Sequence, residues 1–179
     1  CDETAASICN DGVIMSNVVL SQEIHQEFGG VVPEIASREH DSRISSVVDN
    51  ALLKANISYK NIDAIAVTYG AGLMGALLIG LNYAKGLSIA LNVPFIGVNH
   101  LEGHLYASFI STTKLNYPYL CFLVTGGHTQ IWEVQSEGNY ILHSNTMDDA
   151  AGEAFDKGAR ILGLPYPGGP QIEKTSLRG

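Results

Sequence analysis

The feature that most constrains this chain is an alternation: short apolar runs that read as strands are followed by longer segments of helical period. Residues 62–68 read as a buried strand, 69–75 as a glycine-rich turn and 76–91 as an apolar helix. Residues 94–98 form the next strand, and another helix opens at His100. Strands that alternate with helices select an α/β fold. The beginning differs. Residues 4–8 and 13–20 flank the turn signal Asn10-Asp11-Gly12, so they read as a hairpin, and the expected sheet is mixed rather than purely parallel. Further on, 28–33 is a glycine-containing loop, and 37–55 is a helix with Ile44, Val47, Val48, Ala51, Leu52 and Ala55 on its apolar stripe. Strands are expected at 119–125 and 129–134 around Gly126-Gly127, a helix at 148–162, a Gly/Pro loop at 163–169 and a last helix from about Pro170.

Composition narrows the function classes. Hydrophobic residues make up 46% of the 179 and charged residues 16%, which is a globular composition and excludes disorder. The net charge of -8 opposes contact with a phosphate backbone, so any basic surface for RNA must come from elsewhere. The most apolar stretch, 76–90, is interrupted by Asn82 and Lys85, so no membrane span is expected. Cys1, Cys9 and Cys121 have no paired spacing, no signal-peptide pattern is visible, and a reducing compartment is favoured. The chain starts without Met and stops inside a helical pattern, which reads as a piece of a longer protein.

Four motifs carry chemistry. His100 and His104 stand one helical turn apart, so both imidazoles can reach one metal ion; a solvated or hydrogen-bonded pair has the same spacing. A zinc peptidase helix needs Glu directly after the first His. Here Leu101 holds that place, and Glu102 lies about 200° round the helix from His100. Gly70-Ala71-Gly72-Leu73-Met74-Gly75 has the form of a dinucleotide turn, yet no acid occurs between Gly75 and Glu102, so a tight packing turn or a phosphate contact fits better than NAD. Thr125-Gly126-Gly127-His128-Thr129 is either a plain hairpin turn or, given its polar flanks, a binding turn. Its glycines allow φ > 0 and a close approach of N–H groups to an anion. In the run from Asp148 to Lys157, Asp148 or Asp149 would cap the helix. Asp156 lies too deep for that and is either a ribose-holding carboxylate or part of a solvated face with Lys157 and Arg160.

Jointly these segments resemble the TsaD-type threonylcarbamoyl transferases of tRNA, once called O-sialoglycoprotein endopeptidases. The matching pieces are Cys1-Asp2-Glu3-Thr4, Phe28-Gly29-Gly30-Val31-Val32-Pro33-Glu34, Gly72-Leu73, His100-Leu101-Glu102-Gly103-His104, Thr125 to Gln130, Asp148 to Lys157, and Tyr166-Pro167-Gly168-Gly169-Pro170. Ala71 stands where the family usually has Pro. The resemblance covers about the first half of a family member. It implies an actin/Hsp70-like ATPase fold, a mixed sheet with helices on both faces: residues 1–106 as a first lobe without its first strand, and 107–179 as the start of a truncated second lobe.

The implied activity is transfer of the threonylcarbamoyl group from threonylcarbamoyl-adenylate to the adenosine next to the anticodon, in tRNAs that read codons starting with A. His100 and His104 would ligate one divalent metal, iron(II) or else zinc. Leu123, Val124, Thr125, Gly126 and Gly127 would surround the adenylate (or ATP), Asp156 would hold its ribose, and Gly169 would line the same pocket. Asp2 and Glu3, at the cleft mouth, are the catalytic candidates. Implied partners are tRNA and the proteins of the modification complex, including an actin-like regulatory paralogue, with no membrane. The location is the cytoplasm, or the mitochondrial matrix in a eukaryote. The piece alone is expected to be inactive. A metallopeptidase and a non-catalytic actin-like partner are the alternative classes.

Overall fold

A computed structural model of the chain describes residues 2–110 and 115–177; Cys1 of the first motif lies outside them. The chain separates into two compact units, Cys1–Leu101 and Glu102–Gly179.

In the first unit, β1 (Glu3–Asn10) and β2 (Val13–Ser21) form an antiparallel hairpin, in register from Glu3 opposite Ser21 to Asn10 opposite Val13. Its turn uses left-handed backbone at Asp11 (φ 46°) and Gly12 (φ 78°), as the Asn-Asp-Gly signal requires. The hairpin packs on α1 (Pro33–Ala55), whose buried stripe is Ala36, His40, Val47, Ala51, Leu52 and Ala55. Those residues recur at three to four positions, one face of a helix. The helix begins four residues before the expected start because Pro33 opens it; proline at N1 has no N–H left to satisfy. Two buried hydrogen bonds fix the hairpin to α1: Ser16 Oγ donates to the Ala51 carbonyl at 2.7 Å, and Thr4 Oγ1 meets His40 Nδ1 at 2.8 Å.

The same unit holds a parallel pair, β3 (Ile65–Gly70) beside β4 (Phe95–Asn99), joined by α2 (Met74–Leu91). α2 packs on β3 and α1. By length and composition it is long and apolar enough to cross a bilayer: the mean hydropathy of its 18 residues reaches 1.4 in spite of Asn82 and Lys85, and only 11% of them are buried. α3 (His100–Ile110) follows β4 directly.

The second unit is a meander of β5 (Tyr119–Val124), β6 (Thr129–Ser136) and β7 (Asn139–Ser144), followed by α4 (Ala151–Ile161) and α5 (Gly168–Ser176). Leu105, Leu123, Val134, Ala150 and Ala159 are its buried apolar residues. The other face of β5 is open: Leu120, Phe122 and Val124 are 68%, 67% and 50% exposed. Rings of Phe109, Tyr117 and Tyr119 lie 5.7–5.9 Å apart and seat α3 beside β5.

Two expectations need correction. The strands do not join one mixed sheet. The described residues form three small sheets, two antiparallel and one parallel. Strand character is local, whereas sheet membership depends on pairing between distant segments, which periodicity does not encode. β7 is also additional to the sequence reading. Its residues are mostly exposed and lack the alternation that marks a half-buried strand.

Candidate functional site

His100 and His104 lie on one face of α3, His100 exposed and His104 half-buried. Among the described residues, no three His, Cys, Asp or Glu side chains gather as a metal cage. Two imidazoles at one-turn spacing would be a fitting but partial donor set for a borderline metal ion. Glu102 is engaged elsewhere: the Tyr140 hydroxyl donates to its Oε1 at 2.7 Å. Loss of solvation first, then hydrogen bonds with Tyr106 and Glu102, push the Tyr140 phenol well above its ordinary range, so it remains a protonated donor at neutral pH. A carboxylate held this way is not poised to activate water on the imidazole face.

The second group of predicted residues gathers in the second unit. Residues 125–128 close the β5–β6 hairpin. Thr125 N–H donates to the His128 carbonyl at 2.8 Å, and His128 N–H donates to Thr125 Oγ1 at 3.0 Å. Gly126 and Gly127 are not in the left-handed region, contrary to the expectation from a Gly-Gly turn. Their glycine identity provides space instead. A Cβ on either would meet nothing within 4 Å, and their N–H groups make no hydrogen bond to another described residue. Leu123 is 7% exposed, so its side chain belongs to the core, and only its backbone can serve a ligand.

α4 starts against this turn. Gly152 N–H donates to the Thr125 carbonyl at 3.3 Å, and a Cβ at Gly152 would lie 2.7 Å from Gly126 Cα. Neither Asp148 nor Asp149 caps α4, whose N-cap is Ala150. The cap comes from β6: Ala151 N–H donates to Thr129 Oγ1 at 2.8 Å, while Thr129 N–H donates to Thr146 Oγ1 at 2.9 Å. Side-chain capping thus crosses the sequence, which the local motif could not reveal. Asp149 and Glu153 both pair with Lys157 and hold its ammonium above the usual range, Asp149 contributing first.

Asp156 has a structural partner that neither sequence reading included. Its Oδ1 accepts from Gly168 N–H at 2.7 Å, at the start of α5. It therefore caps the next helix, and its other oxygen takes no part in that bond. The approach is close: a Cβ at Gly168 would lie 2.6 Å from Ala159 Cβ and 2.7 Å from Asp156 Cα. Gly169, one residue on, lines an open groove of about 560 Å³ with Phe155, Pro170, Ile172, Glu173 and Ser176. Leu123, Val124, Thr125, Gly126, Gly127 and Asp156 do not line it. Thus Thr125, Gly126 and Gly127 are tied through α4 to Asp156 and Gly168. The sequence marks Thr129 only as a polar flank of the turn, and Thr146, Gly152 and Gly168 are supporting residues whose roles it does not assign. Asp2 and Glu3 belong to the first unit, where the Asp2 carbonyl accepts from Gln22 N–H at 2.7 Å and Glu3 opens β1.

Comparison with known proteins adds the family. The family described as TsaD, tRNA N6-adenosine threonylcarbamoyltransferase, matches residues 13–179. This chain belongs to the TsaD family. A tRNA N6-adenosine threonylcarbamoyltransferase of Thermosipho africanus is 56% identical over 180 residues, covering all of this chain and 54% of that protein. Transferases of the same name from Caldicellulosiruptor saccharolyticus and Clostridium kluyveri are 56% and 54% identical over 181 residues. The chain thus spans about half the length of the TsaD relatives it matches. Among solved structures, YeaZ from Pseudomonas aeruginosa shares the fold, with a TM-score of 0.54 at 16% identity over 81% of this chain and 62% of that one.

Proposed function

We propose that the full-length TsaD protein containing this chain transfers the threonylcarbamoyl group from threonylcarbamoyl-adenylate to N6 of the adenosine next to the anticodon, in tRNAs reading codons that start with A. The observation that carries this reading is the match over residues 13–179, together with 54–56% identity to transferases of that name. The site geometry is compatible with it. We take the fold to be actin-like, with residues 1–106 in a first lobe and 107–179 opening a second.

The adenylate is a mixed anhydride and is already activated. The amino group attacks its carbonyl carbon, the bond from that carbon to the phosphate oxygen breaks, AMP leaves and the amino proton is lost. The N–H groups of Gly126 and Gly127 would donate to the oxygens on which negative charge develops. The carboxylate oxygen of Asp156 that Gly168 does not use would accept from a ribose hydroxyl, and Gly169 would flank the ligand. His100 and His104 would hold one divalent metal, iron(II) or else zinc, which supplies a Lewis acid and a template for the threonylcarbamoyl group. Asp2 and Glu3 are the candidates for handling the proton. The net charge of -8 implies that much of the tRNA surface is contributed by other residues or by partner proteins, among them an actin-like paralogue. The bond from Tyr140 to Glu102 disfavours the peptidase alternative. The proposed location is the cytoplasm or a mitochondrial matrix.

The test supplies the full-length protein and its partners with labelled threonine, bicarbonate, ATP, unmodified tRNA and the adenylate-forming enzyme. Label in tRNA is expected, together with one metal per protein that is lost in the His100→Ala/His104→Ala variant. No label in tRNA overturns the transferase reading; equal metal in both proteins overturns the metal assignment alone. Residues 1–179 by themselves are expected to give no product.

A further inference from the structure

α3 carries two stripes on opposite sides. His100 and His104 form one. Glu102 and Tyr106, offset from them by two residues and so by about half a turn, form the other. The second stripe is gripped by a single side chain. Tyr140 on β7 donates its hydroxyl to Glu102 Oε1 at 2.7 Å, and its ring stands edge-on to Tyr106, with centroids 6.4 Å apart and planes at 82°. The phenol is itself fixed, because Gly138 N–H donates to its oxygen at 3.1 Å. Gly103 sits between the two histidines, where a weak helix former leaves local winding soft. Holding one stripe of such a helix sets its rotation, and therefore the direction of the opposite stripe.

We propose that Tyr140 is a positioning residue for the metal centre: by holding Glu102 and Tyr106 it fixes the rotation of α3 and so the presentation of His100 and His104. The proposal rests on the metal reading above. It explains why an acid lies between the two histidines without acting as ligand or base: Glu102 is the anchor point.

The experiment uses the full-length protein and its Tyr140→Phe, Glu102→Ala and Glu102→Gln variants, each loaded with Zn²⁺. Release into an excess of chromogenic chelator gives the metal off-rate, and thermal unfolding of the metal-free forms gives stability. Partners that orient metal ligands from outside are typically worth 10–100-fold, so Tyr140→Phe and Glu102→Ala should release Zn²⁺ about tenfold faster. Glu102→Gln keeps an acceptor for the phenol and should release near the wild-type rate. A purely structural role would lower the metal-free melting temperatures and leave the off-rates unchanged. Release from Tyr140→Phe at the wild-type rate overturns the proposal, as does release from Glu102→Gln as fast as from Glu102→Ala. Failure of the wild type to take up either Zn²⁺ or Fe²⁺ overturns the metal reading and this proposal with it, and that outcome is visible before any variant is compared.

Discussion

Two of the three hairpin turns among the described residues put glycine to opposite uses. At Asp11-Gly12 the backbone is left-handed, with Gly12 at φ 78°, and the turn is closed by the pairing of Asn10 with Val13. At Gly126-Gly127 the backbone is ordinary for any residue. What glycine contributes there is an absence of atoms: open space on one side, and on the other the backbone of Gly152 packed against it. The first turn needs glycine to fold, and the second needs it to leave room. A sequence shows the same residue in both cases, so the difference must be tested in stability against binding.

The strongest test acts where backbone meets backbone. Gly168→Ala would force a Cβ to 2.6–2.7 Å from Ala159, Asp156 and Phe155, and Gly152→Ala would do the same against Gly126. Overpacking of this kind costs about 1–3 kcal/mol. Chemical denaturation should show it for both variants in the full-length protein. Gly152→Ala should also weaken adenylate binding, because relief of the clash displaces the turn. Denaturation midpoints unchanged from wild type would mean that α4 is not seated as described.

Asp156→Ala comes next. A hydrogen bond to a charged group contributes about 1.5–3 kcal/mol, so adenylate affinity measured by calorimetry should fall about ten- to a hundredfold. The lost cap of α5 should cost about 1 kcal/mol of stability as well. Asp156→Asn keeps an acceptor for Gly168 N–H and should restore the stability; affinity unchanged in both variants would assign Asp156 to capping alone.

The two turns can be compared directly by one substitution. Gly12→Ala places a side chain in left-handed backbone and should cost about 1–2 kcal/mol with adenylate affinity intact. Gly127→Ala meets no protein atom and should leave stability within about 0.5 kcal/mol, while the added methyl weakens adenylate binding. The reverse pattern would break the comparison.

The smallest effect concerns how the first hairpin is attached. Burial of His40 against Thr4 holds its imidazole below the ordinary value of 6.5, chiefly by desolvation. The folded chain thus binds fewer protons than the unfolded one. This contribution is complete above pH 6.5 and declines as pH falls below it. His40→Gln should flatten that part of the stability–pH curve, with no corresponding change in adenylate affinity if the ligand binds at the Gly126-Gly127 turn as proposed.

Much of the element order was legible because strands, turns and amphipathic helices are local. Pro33 moved one helix start, which brought Ala36 into α1, and His40 extended the buried stripe because a histidine does not register as apolar. The separate sheets and β7 were not legible, because pairing is decided between distant segments. In the candidate site, the motifs marked Gly126 and Asp156, but not what holds them. Thr129 caps α4 from across a hairpin, and Gly168 takes the oxygen of Asp156 from twelve residues away. Glu102 showed itself to be out of place for a protease base, yet its partner Tyr140 lies 38 residues on.

The outward face of β5 has a consequence for the behaviour of these residues as a solute. β6 occupies one edge of the strand, no described strand pairs with the other, and Leu120, Phe122 and Val124 present a flat oily row to water. An open edge beside such a row is a template for adding another strand. A preparation of residues 1–179 alone should therefore associate as its concentration rises: it will be clear when dilute and scatter light when concentrated. Lysine in place of Phe122, a charge on that row, will raise the concentration at which the solution turns cloudy.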